Sequence, residues 1–327
     1  TVSLYAGAGG DLRGALVEAF EKAYPGIDVQ ETIAPGGELV SRVLTERTAG
    51  RYLADVILGQ TISATESLKP AGALAPLRPA LVHPEVIDES RWLENRLWWT
   101  DAREPLTNLR YQGTVQTSVF YNTELVDPRE FSSYRDFLDP KWRGRIVSTD
   151  IRRPGPGSFV ARFMWKDPTL GPQYLERLYG EMNITIANDQ RQMVDWLAQG
   201  QFPIGLFLST QDIIPAMRLG LPIEPLAADQ MREGAVIGPG GGAVTLADRA
   251  PHPNAAKLYL NWLLSRDGQT AWQTVLGLNS LRTDLPKDAL PAFTVPKPNV
   301  KYIDAGTEEY GSEITNQIND LLSRVLA

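Results

Sequence analysis

The sequence contains no cysteine, so disulfides, thiolate nucleophiles and cysteine-ligated zinc are excluded, and an oxidising compartment is compatible with it. Only two histidines, His83 and His252, are present, which argues against a histidine-based metal centre or a Ser-His-Asp triad. No apolar run is long enough to predict a membrane-spanning segment. The net charge of −7 disfavours a nucleic acid or an anionic membrane as partner, because either would require a basic face.

Catalytic motifs are missing as well. The chain has no G-x-S-x-G nucleophile elbow, no phosphate-binding P-loop and no H-E-x-x-H zinc motif. The sequence therefore shows no apparatus for catalysis, and we expect neither an enzyme nor a cofactor, although a nucleotide-dependent enzyme with an α/β fold stays an alternative. The first residue is Thr1 and not Met, from which we expect that a leader was removed.

Strand and helix patterns alternate along both halves of the chain. An apolar run from Val2 to Tyr5 meets a glycine cluster and then an amphipathic helix that stops at Pro25-Gly26. The middle of the chain repeats this order, with strand patterns at 144–150 and 202–208 that each lead into a helix. Such alternation predicts α/β architecture with parallel sheets, and 327 residues suffice for about two domains. Solutes of such sheets bind where the strands end and helices begin.

Four stretches of the sequence carry a family resemblance: GELVSRVLTERTAGRYLADVIL (37–58), FLDPKWRGRIVSTD (137–150), APHPNAAKLYLNWLLSRDGQTAW (250–272) and SLRTD (280–284). They resemble the periplasmic solute-binding proteins of ABC importers. The most similar branch contains the ferric-ion-binding proteins and their relatives for sugar phosphates, phosphonates and thiamine. The resemblance implies a type 2 periplasmic binding fold, in which two Rossmann-like α/β lobes close over a solute in the cleft between them.

The resemblance also implies an arrangement of the chain and a location. The chain is expected to cross between the lobes near Phe120–Asn122 and Pro239–Gly242. The protein is expected in the periplasm or lipid-tethered at the cell surface, as a monomer that passes a small-molecule solute to an ABC transporter permease in the membrane. The implied divisions are a first lobe of residues 1–119 with 240–300, a second lobe of residues 120–239, and a C-terminal helix in 301–327 that packs on the lobes.

The glycine turn after the first strand is the first candidate wall of the cleft. Backbone N–H groups of Ala8, Gly9, Gly10 and Asp11 are expected to face the solute. A dinucleotide loop is the poorer interpretation, because Leu12 stands where the G-x-G-x-x-G motif requires its third glycine. Two alternatives stay open: Glu31 near the end of the second strand could serve a ribose, and the turn could hold no ligand.

The ligands of ferric-binding relatives do not carry over to this sequence. The histidine position falls on Gly9, the acid position on Gln60, and the tandem tyrosines at or next to Ser209-Thr210. None of these supplies the anionic oxygen or imidazole that a hard trivalent cation requires, so no metal site is predicted. The isolated phenols of Tyr5 and Tyr121 are more typical of core or rim residues. Ferric iron or an iron chelate stays an alternative to an organic or oxyanion solute.

The segment STDIRRPGPGSF (148–159) is the best candidate for an anion site. Gly157, Ser158 and Phe159 are expected to present unpaired N–H groups at a helix start, where the helix dipole also favours negative charge. Arg152 or Arg153 could then clamp a carboxylate or phosphate with two hydrogen bonds. The alternatives are that the arginines lie on the surface and that Ser158 simply caps the helix.

Three weaker candidates complete the predicted site. Asn188 precedes a helix and could face the cleft or act only as its cap. Gln60 and Ser63 follow a strand end and could reach the solute. Trp98-Trp99 could stack on a solute, but an aromatic pair packed inside a lobe is the more common arrangement.

Overall fold

The computed structural model describes residues 1–7, 10–153, 155–238, 241–298, 300 and 302–326. The chain divides into two compact units, and each is assembled from separate stretches of sequence. The first unit comprises Thr1–Thr114, Pro239–Val295 and Gly306–Glu309. The second comprises Val115–Gly238, Pro296–Ala305 and Tyr310–Ala327.

The first unit contains a six-stranded mixed sheet with the order β2-β1-β3-β13-β5-β4. The strands β1, β2 and β3 are parallel, as the sequence predicts. The strand β13 returns from the second half of the chain and pairs antiparallel with both β3 and β5, which the sequence pattern did not indicate. The strands are β1 (Val2–Ala6), β2 (Val29–Ile33), β3 (Val56–Leu58), β4 (Trp98–Trp99), β5 (Asn108–Arg110) and β13 (Ala243–Leu246).

The second unit contains a five-stranded sheet with the order β11-β7-β10-β8-β9. The strand β8 is parallel to β9 and β10, whereas β7 is antiparallel to β10 and β11. Phe120–Asn122 lie within β7, in the interior of this unit, so the chain crosses between the units earlier than we expected, at 114/115. The strands are β7 (Val119–Asn122), β8 (Ile146–Thr149), β9 (Thr185–Ala187), β10 (Ile204–Leu206) and β11 (Ile223–Pro225).

A three-stranded sheet with the order β14-β12-β6 lies next to the crossing segments of the chain; its strands are β6 (Thr114–Gln116), β12 (Ala235–Gly238) and β14 (Tyr302–Ile303). Two glycines in these segments, Gly238 and Gly242, lie directly against glutamine side chains. A Cβ atom on Gly238 would lie 2.3 Å from Nε2 of Gln116, and one on Gly242 would lie 2.1 Å from Cβ of Gln112. At Gly242 a side chain would meet Cβ and the backbone of Gln112, so a larger residue would force a shift there, whereas at Gly238 the nearest atom belongs to the flexible end of Gln116.

Helices cover the sheets of both units. Phe20 of α1 is fully buried, as the predicted apolar face requires, and packs edge-on against Tyr259 and Trp262 of α8 with ring centroids 4.9 and 5.2 Å apart. The first unit holds α1 (Gly10–Ala23), α2 (Gly36–Thr48), α3 (Pro84–Ile87), α8 (Pro253–Leu264) and α9 (Arg266–Leu276). The second holds α4 (Pro156–Lys166), α5 (Gly171–Glu181), α6 (Gln190–Ala198), α7 (Thr210–Arg218) and α10 (Ser312–Val325).

The C-terminal helix α10 belongs to the second unit. It contacts α4 and α5, and its apolar face is buried in the core of that unit through Ile318, Leu321 and Leu322. In the part of the chain that the structure describes, no helix combines the length and the hydropathy needed to cross a bilayer.

Candidate solute-binding site

Each unit brings the carboxyl ends of its parallel strands to one edge of its sheet. In the first unit, this edge consists of the residues after β1, β2 and β3, and we call it the first edge. In the second unit it consists of residues 150–159, 188–190 and 207–210, which follow β8, β9 and β10, and we call it the second edge. Helices begin at both edges, so the predicted site residues fall into two groups.

At the first edge, the side chains of Gln60 and Ser63 are hydrogen-bonded to each other. The Ser63 hydroxyl donates to Oε1 of buried Gln60 at 2.6 Å, and the Asn108 side-chain amide donates to the Gln60 carbonyl at 2.7 Å. Gly10 begins α1. The predicted ligands Ala8 and Gly9 lie outside the described residues. This edge therefore presents an ordered amide and a hydroxyl, both without charge.

The two candidate phenols do not lie free at either edge. The Tyr5 hydroxyl donates to both carboxylate oxygens of Glu46 at 2.9 Å, and burial together with Glu46 raises its pKa. Tyr121 pairs with Ile204, the first residue of β10, and therefore lies at the opposite end of that strand from Ser209. Burial and the nearby Glu224 raise the pKa of Tyr121 too. Both shifts oppose the phenolate form that binds iron.

At the second edge, Arg152 is already held by an aspartate. Nε and Nη2 of Arg152 donate to the two carboxylate oxygens of Asp150, each at 2.8 Å. These hydrogen bonds lower the pKa of Asp150 and raise the pKa of Arg152. The sequence pattern does not indicate that Asp150 turns towards Arg152, and the clamp by Arg152 stays a prediction that concerns the rest of its guanidinium.

The turn that leads into α4 is arranged differently from our expectation. The helix begins at Pro156, so Ser158 is its third residue. The Ser158 N–H donates to the Gly155 carbonyl at 3.2 Å, and its hydroxyl both donates to that carbonyl and accepts from the Gly155 N–H. The prediction of an unpaired Ser158 N–H is therefore wrong, because the first turn closes on Gly155. The capping interpretation is supported in modified form.

The neighbours of Ser158 pack into the second unit. Gly157 is buried, and a Cβ atom there would lie 2.8 Å from Cγ2 of Ile151 and 3.1 Å from Cβ of Phe207. Phe159 is half-buried against the core, with the guanidinium of Arg162 at 4.5 Å from its ring centroid. The Phe159 side chain therefore serves packing, and only its backbone is a candidate ligand.

The starts of α6 and α7 meet at the second edge. The Ser209 N–H donates to Oε1 of Gln190 at 2.8 Å, and Thr210 is the first residue of α7. Asp189, and not Asn188, caps α6, because its carboxylate accepts from the Arg191 and Gln192 N–H groups at 2.8 and 3.2 Å. Asn188 is exposed beside this cap.

Phe207 is a residue of this edge that sequence reasoning missed. It is buried at the end of β10 with a φ of 62°, a conformation that is strained for a bulky side chain. Its N–H donates to the Ser118 carbonyl at 2.8 Å, and its carbonyl accepts from the Thr149 hydroxyl at 3.4 Å. These bonds join β10 to its neighbours immediately before Ser209. Because phenylalanine rarely adopts a positive φ, the sequence gives no signal for this conformation at Phe207.

Trp98 is a core residue of the first unit. Its side chain is fully buried, its indole N–H donates to the Leu93 carbonyl at 2.9 Å, and the Arg96 guanidinium lies 3.8 Å from its ring centroid. Trp99 is half-buried. Among the described residues, no group of three or more His, Asp or Glu side chains is arranged to hold a metal ion.

Comparison with known families identifies the kind of protein to which these two sheet edges belong. The profile of the family described as "Bacterial extracellular solute-binding protein" matches residues 15–295. The chain belongs to this family. It is a solute-binding protein of the ABC transporter class, a family of transport proteins that bind small solutes and work with membrane permeases. A search of curated protein sequences finds no match.

Solved structures of similar fold include three that span almost the whole solute-binding protein. The Bordetella ferric binding protein has a TM-score of 0.74 at 18% identity and covers 99% of this chain and 98% of its own. Trichodesmium IdiA (FutA), solved with iron and citrate, has a TM-score of 0.71 at 19% identity, with the same coverage. AfuA from Actinobacillus pleuropneumoniae, solved with fructose-6-phosphate, has a TM-score of 0.64 at 18% identity and covers 98% of both chains. These likenesses establish the type 2 periplasmic binding fold.

Proposed function

We propose that this solute-binding protein captures a small organic solute that carries a phosphate, phosphonate or carboxylate group, and that the second edge binds this group. The single observation that carries the proposal is the convergence of α4, α6 and α7 on one edge of the β9-β8-β10 strands, next to Arg152. The starts of α4 and α7 contribute partial positive charge, whereas the start of α6 is capped by the Asp189 carboxylate. Arg152 and Arg153 together exceed the charge of Asp150 by one.

The first edge is proposed to bind the uncharged part of the solute. Its amide and hydroxyl at Gln60 and Ser63 suit hydroxyl groups of an organic molecule better than a hard cation. Backbone N–H groups of Ala8, Gly9 and Gly10 are proposed to complete this wall. At the second edge, Gly157, Phe159, Asn188, Ser209 and Thr210 are the further proposed contacts.

The proposed setting is a periplasmic or lipid-tethered monomer that delivers its solute to a permease. A thermal-shift screen of sugar phosphates, phosphonates and carboxylates tests the solute class, since a bound solute raises the melting temperature by mass action. Stabilisation only by cationic or neutral compounds would refute an anionic solute. Scattering profiles that do not change at saturating solute would refute lobe closure.

An iron(III)–carboxylate chelate is the second candidate, favoured by the fold neighbour that was solved with iron and citrate. Direct binding of bare ferric ion is not expected, because the aligned positions carry Gly9, Gln60, Ser209 and Thr210. The raised pKa values of Tyr5 and Tyr121 also disfavour the phenolate that iron would require. Including iron(III) citrate and citrate alone in the screen separates the two candidates. A stoichiometric phenolate-to-iron charge-transfer band would contradict the expectation for bare iron.

A further inference from the structure

Two Asp-x-Arg segments of the second unit form the same local ion pair. In the first, Nε and Nη2 of Arg152 donate to Asp150 at 2.8 Å each, and the Arg152 backbone N–H donates to Oδ1 at 3.1 Å. In the second, Nε and Nη2 of Arg129 donate to Asp127 at 2.9 and 2.6 Å, and its backbone N–H donates at 3.0 Å. The chain therefore contains an internal control for the pair at the second edge.

The two pairs differ in where they lie. The Asp150 side chain is 9% exposed and that of Arg152 35%, whereas Asp127 and Arg129 are 39% and 88% exposed. Asp150 directly follows β8 at the second edge. Asp127 lies in the loop after β7, which runs antiparallel to β10 and so ends at the opposite edge. Burying a carboxylate is costly unless its partner is well placed, so the pair at the second edge is the more constrained one.

Counting donors shows what Arg152 still offers. A guanidinium has five N–H bonds in a planar fork. Asp150 takes two of them along one side, from Nε and Nη2, and the other three have no protein partner among the described residues. These three, on Nη1 and Nη2, form a second side that can bind an oxyanion with two parallel hydrogen bonds. We call it the outer side of Arg152.

The local charge also suits an anion. Nε of Arg153 lies 3.9 Å from Oδ2 of Asp150, so two guanidinium groups share one carboxylate. One positive charge is left over at the start of α4. Asp150 thus fixes the direction of Arg152 without cancelling the charge of the turn.

We propose that Asp150 is a positioning residue of the anion site, which holds Arg152 by one side so that its outer side receives an oxyanion of the solute. This inference rests on the proposed function. For a variant that removes the charge of Asp150, this inference predicts weaker anion binding, whereas electrostatics alone predicts stronger binding. Removing a negative charge beside an anion site should strengthen binding, whereas releasing Arg152 should weaken it, because the side chain must then be ordered when the anion binds.

The test is calorimetric titration of the 327-residue chain with inorganic phosphate at neutral pH. We expect Asp150→Asn to weaken phosphate binding about five- to ten-fold, and Arg152→Ala to weaken it at least as much. Asp127→Asn, the matched variant of the remote pair, should leave it unchanged. A second readout is the NMR signal of the Arg152 Nε–H, whose slow solvent exchange should be lost in Asp150→Asn before any phosphate is added.

The outcomes separate this inference from the function on which it rests. If the parent does not bind phosphate, or if Arg152→Ala binds it as tightly as the parent, the anion site itself is refuted, and the role of Asp150 with it. If Arg152→Ala weakens binding but Asp150→Asn binds as tightly or more tightly, only the role of Asp150 is refuted. Should Asp150→Asn not fold, Arg152→Lys keeps the charge and the aspartate but lacks the fork; parental affinity in that variant would also refute the inference.

Discussion

The two edges of this solute-binding protein differ in what they offer a solute. The first edge presents an amide and a hydroxyl, Gln60 and Ser63, that are bonded to each other and carry no charge. The second presents three helix starts and an ion pair with one further arginine beside it. Charge at helix starts favours anions, whereas neutral amides favour hydroxyl groups. This difference underlies the proposal that the second edge binds the anionic group of the solute and the first edge the remainder.

The largest expected difference between the edges concerns packing. Gly157→Ala should destabilise the protein by about 2 kcal/mol, because the new Cβ would lie 2.8 Å from Cγ2 of Ile151 and 3.1 Å from Cβ of Phe207. Gly36→Ala, at the start of α2, is the matched control. Its new Cβ would make only ordinary van der Waals contacts, the nearest 3.5 Å from Nε2 of Gln60. This substitution should therefore be neutral or stabilise the protein by up to about 1 kcal/mol. Urea unfolding of both variants measures this, and equal effects would contradict it.

The next effect concerns solute affinity. Ser158→Asp should cost at least about ten-fold in affinity, near 1.4 kcal/mol, because it adds a fixed negative charge where the solute anion is proposed to bind. The fold should persist, since an acidic residue in the first turn of α4 is favourable to the helix. Titration with the tightest-binding compound of the screen measures this change.

Ser63→Asp tests whether the two edges differ in their effect on solute affinity, because it adds the same negative charge at the first edge. We expect a smaller loss of affinity than in Ser158→Asp. Equal losses in the two variants would show that the edges do not divide anion and non-anion recognition between them.

A smaller effect tests whether the first edge is held together by its own hydrogen bonds. Ser63→Ala should lower the free energy of unfolding by about 1 kcal/mol, because it leaves the buried Oε1 of Gln60 without its donor at 2.6 Å. Chemical unfolding provides the measurement. Stability equal to that of the parent would mean that this hydrogen bond contributes nothing measurable.

The smallest effect is a pH dependence confined to the second edge. The folded-state pKa of Asp150 is lowered by Arg152, so the pair stabilises the protein above the unfolded value of about 3.9 and loses this contribution as pH falls through the lowered pKa. The contribution should be at most about 1 kcal/mol, because Arg152 is partly exposed. Asp150→Asn should therefore lose less stability than the parent between pH 6 and pH 3. Parallel losses would contradict the assignment to Asp150.

Local sequence signals sufficed for the α/β class and for the position of the second edge at strand ends. The period of apolar residues and the glycine and proline stops identify strands and helices, and in an α/β fold they bring Gly157, Ser158, Ser209 and Thr210 to the carboxyl ends of strands. The same signals, together with the family resemblance, predicted a solute-binding protein. They did not indicate that β13 inserts antiparallel between β3 and β5, because strand order depends on contacts between distant segments.

The sequence by itself determined the α/β class and the strand ends at which a solute is proposed to bind, since these follow from residue patterns a few positions long. The family and its type of fold followed from the resemblance of four longer stretches. Tertiary structure alone decided how the side chains there are used. Asp150 turns to hold Arg152, Gln60 and Ser63 bind each other, and Phe207 adopts a positive φ between two neighbouring strands. Each of these depends on burial and on hydrogen-bond partners that three-dimensional packing supplies, so composition and spacing do not specify them.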